Sequence, residues 1–339
     1  MRAPKQDILH QNELNIPKEY IRFATPAGVA LYRAERLKCN VIAEIGCGIG
    51  GQTIGFAKKC KKVISIEVDK KQIKIAKSNI ERLGIKNIEF IWGDALSKKV
   101  IEKIKDEKPD IVFCDTERKE AGDRSINELK PDIRKLIEKY SFCEKIAVEV
   151  PPFTSDLERL KDNYEKEFIS LNSKLNRLTL YFNKLKKAEK SAVSLPSAMK
   201  IESNESEKVE LTESALGFDY FYGIDPAIVL AGLIDELASH YKVRLIEINK
   251  KNYFLSKEKI DSVFLDSYKI LKICNNKFET IIKELKIINA GKVVIRYNIL
   301  PEEYWKERNR YENELIGKKE VHLFAGKDAI LCEQLKPKI

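Results

Sequence analysis

The fold is decided by the stretch Val41-Ile42-Ala43-Glu44-Ile45-Gly46-Cys47-Gly48-Ile49-Gly50-Gly51. Its first five residues are mostly apolar, which is typical of a buried strand. The glycines that follow let the backbone turn tightly and approach a ligand closely. A helix is predicted from the end of this loop through Lys58, and its free N–H groups would point at the same place. The stretch therefore predicts a strand, a ligand-binding turn and a helix.

Strands and helices continue to alternate on the C-terminal side of this unit. Apolar runs predict further strands at 63–66, 88–92, 111–114 and 145–150. Apolar residues at helical spacing predict helices at 73–83, 97–105 and 131–140. Such a series is typical of an α/β fold, in which a mostly parallel sheet has helices on both faces. Ligands of these sheets bind beyond the carboxyl ends of the strands.

The flanking segments extend this sheet domain in both directions. Thr25 is predicted to cap a helix that has Pro26 in its first turn and runs to about Leu37. After the fifth strand, the sequence predicts a charged helix at 157–166 and two closing antiparallel strands, at 178–182 and 192–195. The expected organisation is a helical lead-in at 1–40 and a sheet domain at 41–205.

A second, smaller α+β domain is predicted at 215–339. The polar stretch 199–214 is interpreted as a loop or linker that places the boundary at 205–215. Asp225 and Pro226 open a helix with one apolar face, formed by Val229, Leu233, Leu237 and Tyr241. A strand at 292–297 and a hairpin of 321–325 and 329–332 complete the chain.

Composition argues against several classes of protein. The chain has 339 residues, of which 43% are apolar, enough to form a core. It contains neither an apolar run long enough to span a membrane nor a signal-peptide pattern, so a cytoplasmic protein is expected. Seven cysteines without a Cys-x-x-Cys pair, beside three histidines, argue against a disulfide framework or a metal site. A net charge of +10 is compatible with a nucleic-acid partner, but a lysine-rich composition gives the same balance.

Acidic residues recur where four successive predicted strands end. Glu44 lies just before the glycine loop, Glu67 ends the second strand, Asp94 follows Gly93 after the third, and Asp115 ends the fourth. The glycines alone fit both a dinucleotide fingerprint and the shorter loop of S-adenosylmethionine methyltransferases. The series of acids favours the methyltransferase loop. Acids that only cap the following helices are the alternative, above all for Asp94.

Together these motifs resemble class I S-adenosylmethionine-dependent methyltransferases, which have a Rossmann-like fold. The resemblance implies S-adenosyl-L-methionine as the cofactor and no metal, with Glu67 at the ribose and Asp94 near the adenine. It implies catalytic roles for Asp115, which begins the fourth motif, and for Arg118. The candidate cofactor-binding residues are Thr25, Pro26, Glu44, Gly46, Cys47, Gly48, Gly50, Gly51, Thr53, Glu67, Val68, Gly93, Asp94, Ala95 and Asp115.

The resemblance narrows to methyltransferases that carry a C-terminal THUMP-like domain. It rests on the segments 24–37, 50–57, 220–228 and 322–324. The first half is also similar to trimethylguanosine synthase around Gly51 to Ala57, where a glycine pair precedes a Thr and a Phe-Ala. THUMP-like modules are regarded as RNA-binding by analogy with tRNA-modifying enzymes. RNA, in particular tRNA, is therefore the implied partner, with a guanine base favoured as the acceptor.

The fourth motif departs from that of methyltransferases acting on exocyclic amines. Those enzymes have Asp or Asn followed by Pro-Pro and an aromatic residue, whereas this strand ends in Asp115-Thr116-Glu117-Arg118. The THUMP-like relatives favour Asp-Pro-x-Arg, which Asp115 and Arg118 match and Thr116 does not. The sequence Val150-Pro151-Pro152-Phe153 resembles the missing motif but follows the fifth strand. The pattern argues against attack on an exocyclic amine.

Several individual residues have expected roles. Arg118 is expected either to bond Asp115 and keep its pKa low or to contact an RNA phosphate. A carboxylate with a low pKa is a poor base, so Asp115 is expected mainly to orient the acceptor. Cys47 is interpreted as a small residue near the cofactor, His322 as structural, and the run Lys184–Lys190 as a solvated turn. Methylation of RNA is the leading hypothesis. Methylation of a protein or small molecule and a catalytically silent RNA-binding protein are the alternatives.

Overall fold

The computed structural model describes residues 7–21, 24–118, 125–160 and 163–335. The chain divides into two compact units, an N-terminal unit of Met1–Glu202 and a C-terminal unit of Ser203–Ile339. Among the described residues, no helix is both long and apolar enough to cross a membrane.

The N-terminal unit is built on a nine-stranded sheet. The strands of this unit are β1 (Val41–Ile45), β2 (Lys62–Glu67), β3 (Ile88–Trp92), β4 (Ile111–Asp115), the two-residue β5 (Glu117–Arg118) and β6 (Leu129–Lys130), β7 (Lys145–Val150), β8 (Tyr164–Leu171), β9 (Lys174–Asn183), β10 (Lys190–Leu195) and β11 (Met199–Glu202). Across the sheet they lie in the order β11-β10-β8-β9-β7-β4-β1-β2-β3, while β5 and β6 pair separately. Strands β1 to β4 and β7 are parallel, as predicted. The strand order reverses between β1 and β4, which opens a crevice at their carboxyl ends.

Helices cover this sheet where the sequence supplies capping residues and apolar spacing. They are α1 (Lys18–Ile21), α2 (Ala27–Arg36), α3 (Gly51–Ala57), α4 (Lys70–Arg82), α5 (Lys98–Asp106) and α6 (Ile133–Lys139), with short 3-10 turns at Ile126–Glu128 and Leu157–Arg159. The side chains of Asp69, Ser97 and Asp132 accept N–H groups in the first turns of α4, α5 and α6. A buried cluster that includes Phe56 and Phe113 packs α3 on the sheet.

The structure corrects the prediction for the start of α2. The residue at the cap position is Pro26 rather than Thr25, and no side chain caps the helix. The first helical residue, Ala27, instead donates its N–H to the Asp7 carbonyl at 2.6 Å. The cap is therefore supplied by the lead-in segment, a long-range contact that a local capping rule does not include.

The segment after β7 also differs from the prediction. The charged helix expected at 157–166 is a three-residue 3-10 turn followed by β8. The charges of β8 are misleading because Glu165 and Glu167 are fully buried and paired with Arg36. Strand β9 is antiparallel to both its neighbours, as expected, but β10 runs parallel to β8. The beginning of the expected 199–214 loop forms β11, which pairs antiparallel with β10.

The C-terminal unit is an α+β structure around an eight-stranded sheet. Its strands are β12 (Leu211–Thr212), β13 (Tyr220–Ile224), β14 (Arg244–Ile248), β15 (Lys251–Ser256), β16 (Leu265–Asn275), β17 (Ala290–Ile295), β18 (Lys319–Ala325) and β19 (Asp328–Gln334). Their order in the sheet is β12-β14-β15-β13-β16-β19-β18-β17. Its helices are α7 (Pro226–Ala231), α8 (Ile234–Tyr241), α9 (Phe278–Ile287) and α10 (Tyr304–Glu312).

Two predictions for this unit have different outcomes. The antiparallel hairpin of β18 and β19 is confirmed. The single helix expected from Pro226 is instead two helices, because Gly232 adopts a left-handed conformation, with φ of 66°, and ends α7. Asp225 does cap α7, since its carboxylate accepts the Ala227 N–H at 2.8 Å.

Candidate active site at the carboxyl ends of the strands

The glycine loop is held so close to β4 that a side chain could not fit at Gly46. Its φ is +79°, a left-handed conformation, and a Cβ atom there would lie 2.6 Å from the Asp115 carbonyl oxygen. Gly48 and Gly50 also have positive φ, of +54° and +93°. The glycines thus bring the end of β1 against the end of β4.

A cavity lies between this loop and the lead-in segment. It is lined by Tyr20, Ala24, Thr25, Gly46, Cys47, Gly48, Ile49, Gly51, Gln52, Gln72 and Asp115. Six of these are candidates from the sequence, namely Thr25, Gly46, Cys47, Gly48, Gly51 and Asp115. Gln52 and Gln72, on α3 and α4, are lining residues that the motif comparison did not include. Both could have been suspected from the sequence, because each is a polar residue in the first turn of a helix that follows a predicted strand.

Glu67 is positioned by the loop itself. Its carboxylate accepts the Gly48 N–H at 2.8 Å and the Asp69 N–H at 2.9 Å. Burial raises the pKa of Glu67. Each carboxylate oxygen can accept more than one hydrogen bond, so Glu67 can hold the loop and also accept hydroxyl groups of a ligand.

Glu44 lies beneath the loop. Its Oε2 accepts the Thr53 hydroxyl at 2.6 Å and the Ser65 hydroxyl at 2.8 Å. Its Oε1 is buried and has no hydrogen-bond partner among the described residues. Burial raises the pKa of Glu44 to about 7. These hydrogen bonds connect β1 with α3 and with β2 beneath the glycine loop.

Asp94 has the environment of a turn cap. It is exposed, and its carboxylate accepts the Leu96 N–H at 2.8 Å. Its carbonyl accepts the Ser97 hydroxyl at 2.7 Å. The neighbouring candidate Ala95 offers its carbonyl to the buried Tyr140 hydroxyl at 2.8 Å. Asp94 therefore fits the alternative reading in which an acid caps the turn after its strand.

Val68 and Gly93 lie at the same end of β2 and β3. Val68 is 65% exposed and its carbonyl accepts the indole N–H of Trp92 at 3.0 Å. The Gly93 N–H donates to the Glu67 carbonyl at 3.0 Å. This side of the crevice exposes the apolar side chains of Val68 and Trp92, and Lys70 Nζ lies 5.0 Å from the centre of the Trp92 ring.

Asp115 is half-buried and lies beside one further acid and two arginines, of which Glu149 and Arg33 are buried and Arg177 is half-buried. It lies opposite Glu149 in the register of β4 and β7. Glu149 accepts a hydrogen bond from Arg33, and its Oε1 lies 2.6 Å from Nε of Arg177. Arg33 is fully buried, donates to Gln52 at 2.9 Å and lies 4.8 Å from the centre of the Phe113 ring.

The pKa of Asp115 differs from the expectation. Burial, and next the negative charge of Glu149, raise it well above the usual value, although Arg177 and Arg33 act in the opposite direction. The side chain of Arg118, expected to lower this pKa, lies outside the described residues. Arg33, Glu149 and Arg177 supply the charged surroundings instead. Of these three residues, only Glu149 could have been suspected from the sequence, because it lies at the end of the fifth predicted strand.

The remaining candidate residues lie in surroundings that indicate structural roles. Burial raises the pKa of the Cys47 thiol well above its usual value, so Cys47 is a poor nucleophile. His322 is buried, accepts from Arg296 Nε at 3.0 Å and has its pKa lowered to about 4 by burial. Lys184 pairs with Glu144, and Phe153 is 53% exposed. The described residues contain no group of side chains that could hold a metal ion.

The sequence is similar to several methyltransferases. The family of RNA cap guanine-N2 methyltransferases matches residues 39–117. The probable cobalt-precorrin-6B C(15)-methyltransferase (decarboxylating) of Methanocaldococcus jannaschii is 32% identical over 101 residues, 30% of this chain and 51% of that protein. An uncharacterized RNA methyltransferase of Oceanobacillus iheyensis is 40% identical over 92 residues, 26% of this chain and 20% of that protein. The probable ribosomal RNA small subunit methyltransferase A of Methanosarcina barkeri is 46% identical over 57 residues, 17% of this chain and 19% of that protein.

These similarities are partial in sequence but extensive in structure. The chain spans between about a fifth and about half of the length of these relatives. A crystal structure from Porphyromonas gingivalis W83, assigned as a methyltransferase, has a TM-score of 0.77 at 18% identity, and the match covers 95% of this chain and 84% of that chain. Likeness at this identity concerns the fold alone. With its parallel strand order and glycine loop, the chain therefore has the class I S-adenosylmethionine-dependent methyltransferase fold.

Proposed function

We propose that this chain transfers a methyl group from S-adenosyl-L-methionine to RNA, with a tRNA base, guanine in particular, as the acceptor. The observation that carries the proposal is the cavity in which Asp115 and the glycine loop meet. Methyl transfer from an activated donor depends mainly on positioning the two reactants, which the glycine loop and the half-buried Asp115 carboxyl can provide. The RNA acceptor is supported by relatives named as RNA methyltransferases and by the net charge of +10.

The loop residues fit a nucleoside-containing cofactor. A Cβ at Gly46 or Gly48 would lie 2.6 or 3.2 Å from neighbouring atoms, so the backbone itself forms this wall of the cavity. The residues that would hold the cofactor are the loop glycines and Glu67, with Thr25 and Cys47 beside them. Bound there, S-adenosyl-L-methionine supplies the activated methyl group. Roles for Pro26, Val68, Gly93, Asp94 and Ala95 in binding it remain predictions.

Asp115 is the proposed general base. A carboxylate with a raised pKa binds a proton more strongly than an ordinary one, and basicity follows pKa. Glu149 strengthens this property by adding a negative charge beside Asp115, while Arg33 and Arg177 hold Glu149 in place. When ionised, Asp115 can accept an N–H proton of the acceptor. This role replaces the mainly orienting role expected from the sequence, in which proton removal is partly left to water.

The C-terminal unit is proposed to hold the RNA. In this proposal, residues 41–205 form the methyltransferase domain, 1–40 its helical lead-in and 215–339 a THUMP-like domain. The proposal relies on the resemblance of the segment 220–228 and of the closing hairpin to THUMP-like domains. Modification of tRNA in the cytoplasm is the process that this arrangement would serve.

A second candidate is methylation of a small molecule. It is favoured by three relatives named as probable cobalt-precorrin-6B C(15)-methyltransferases (decarboxylating), from three organisms. Those similarities cover at most 30% of this chain, and one fold hosts enzymes with many different acceptors.

Transfer of a labelled methyl group separates these functions. The full chain would be incubated with S-adenosyl-L-methionine labelled in the methyl group and with unmodified tRNA, total protein or a small-molecule extract. We expect label in tRNA and its loss in Asp115→Asn. Label only in small molecules or protein would favour the alternatives, and RNA binding without label in any fraction would indicate a silent RNA-binding protein.

A further inference from the structure

Three loop tips of the C-terminal unit are bound to one another. The Asn249 amide, in the turn between β14 and β15, donates to the Ala325 carbonyl at 2.6 Å. The Asn276 amide, just after β16, donates to the Gly326 carbonyl at 2.8 Å. A Cβ at Gly326 would lie 2.9 Å from Cγ2 of Ile248, so the tip of the β18–β19 hairpin packs closely on the first hairpin. The tips therefore form one surface.

A cleft lies beside these tips. It has a volume of about 420 Å³, within the range of ligand sites, and its lining includes Asn249, Asn276, Phe278, Tyr297, Glu307 and Arg310. The Arg310 guanidinium lies 4.0 Å from the centre of the Phe278 ring. The Tyr297 hydroxyl donates to Glu307 at 2.9 Å, and Arg310 lies 3.7 Å from the other oxygen of Glu307. The cleft thus offers stacked planar groups and fixed polar atoms.

The charges around the cleft separate its rim from its interior. Lys250, Lys277 and Lys327 are exposed, and each follows a cleft-lining residue in the sequence. The interior contains the Glu307 carboxylate, which disfavours a phosphate there. A ligand with phosphates on the rim and an uncharged planar group inside matches this distribution.

We infer that the cleft of the C-terminal unit binds an unstacked nucleobase of an RNA strand, and that the three tip lysines bind the phosphates on either side of it. The Arg310–Phe278 pair supplies the plane for stacking, and the Asn249 and Asn276 amides face the edge of the base. The inference rests on the proposed RNA substrate and deepens it by naming where the strand is held. An acidic protein segment would satisfy the lysines but would not use the stacked pair.

Binding of a fluorescently labelled, unmodified tRNA transcript by the full chain, at several salt concentrations, tests the inference. The tip variant is Lys250→Gln, Lys277→Gln and Lys327→Gln combined. The matched control is Lys257→Gln, Lys269→Gln and Lys319→Gln, which removes three charges that are also exposed, within or next to the strands that lead to the tips but at a distance from them in the sequence. Only the tip variant should weaken binding, by tenfold or more at low salt. The slope of log K against log salt should fall by about 2 in magnitude.

Arg310→Lys separates stacking from charge. It keeps the positive charge but removes the planar group, so affinity should fall about fivefold or more with an unchanged salt slope. Thermal unfolding of each variant would establish that the unit remains folded.

The outcomes distinguish this inference from the proposed function. If the parent methylates tRNA while the tip and control variants bind tRNA equally, the inference is overturned and the function stands. If the parent binds no tRNA, both fail. Equal binding of polyglutamate and tRNA, with no effect of Arg310→Lys, would overturn the nucleobase assignment in favour of an acidic protein partner.

Discussion

The two sides of the crevice contrast in how their acids are surrounded. At the ends of β1, β4 and β7, Glu44 and Glu149 are buried and Asp115 is half-buried, and Arg33 and Arg177 lie among them. At the ends of β2 and β3, Asp94 is exposed and bonded to its own turn. In the sequence these acids form one series, since Glu44, Asp94 and Asp115 all lie where a strand ends.

The difference teaches that burial, and not place in the motif, gives a strand-end acid its chemistry. Burial raises the pKa of Glu44 to about 7 and raises that of Asp115 well above its usual value, so both carboxyls bind a proton more strongly than ordinary ones. Glu67 stands between the two sides because it is buried like Glu44 but lies at the end of β2 and uses its carboxylate to hold the loop. The buried side is therefore suited to proton transfer and the exposed side to binding.

Asp115→Asn tests the buried side with the largest expected effect. The change keeps the shape and one acceptor oxygen but deletes the base, so turnover on tRNA should fall roughly 100-fold or more. Calorimetry should give nearly unchanged affinity for S-adenosyl-L-methionine. In the parent, turnover should rise with pH, because Asp115 must lose its proton to act as the base and its pKa is raised. Parent-like turnover in the variant would show that the fourth-strand acid is structural.

Glu44→Gln tests the buried side of the crevice through its effect on the free energy of unfolding. The pKa of Glu44 is about 7 in the folded protein against 4.5 without burial, so the folded state holds the proton more tightly. The free energy of unfolding should therefore fall as pH rises from about 4.5 to about 7, by roughly 2–3 kcal/mol from this group. The variant cannot titrate but can still accept the Thr53 and Ser65 hydroxyls. Urea unfolding across this range should show a smaller decrease in the variant, and parallel curves would contradict the assignment.

Glu67→Ala tests the group between the two sides. Removing the carboxylate leaves the Gly48 N–H without its acceptor and deletes the proposed contact with ribose hydroxyls. Affinity for S-adenosyl-L-methionine should weaken by about 1–3 kcal/mol, measured by calorimetry. Glu67→Gln is the matched control, since it keeps an acceptor oxygen and should lose less. Unchanged affinity in Glu67→Ala would remove Glu67 from the binding site.

The sequence predicted the parallel half of the fold because local patterns determine it. The stretch from Val41 to Gly51 begins with an apolar run, and similar runs later in the chain mark the other parallel strands. The positions of the glycines follow from the tight backbone turn after the first strand. The error at 157–166 arose because Glu165 and Glu167 look solvent-exposed in the sequence but pair with Arg36 inside the unit. Buried charge pairs depend on a partner distant in the chain, so periodicity cannot reveal them.

The candidate site was likewise predictable where its residues belong to local motifs, and not where they come from distant parts of the chain. Six of the lining residues followed from motifs that are continuous in the sequence. Arg33 and Arg177 did not, because they reach Glu149 from α2 and β9. Their effect on the pKa of Asp115 is a consequence of tertiary packing. The raised pKa of Asp115, which differs from the low pKa expected beside Arg118, comes from burial and from Glu149, and both are likewise consequences of tertiary packing.

Asp94→Asn should have the smallest effect and decides whether the exposed side contributes to chemistry. Asparagine keeps an oxygen that can accept the Leu96 N–H, so the turn before α5 should persist and stability should change by less than about 0.5 kcal/mol. If Asp94 only caps this turn, affinity for S-adenosyl-L-methionine should also stay within about threefold of the parent, and turnover should be unchanged. If it accepts an adenine N–H group, as the resemblance implies, the neutral amide should weaken cofactor binding about tenfold while turnover at saturating cofactor is retained. Comparing the affinity with the turnover of this one variant therefore separates a cap from a binding residue, and a 100-fold loss of turnover would contradict the division of the crevice into a chemical and a binding side.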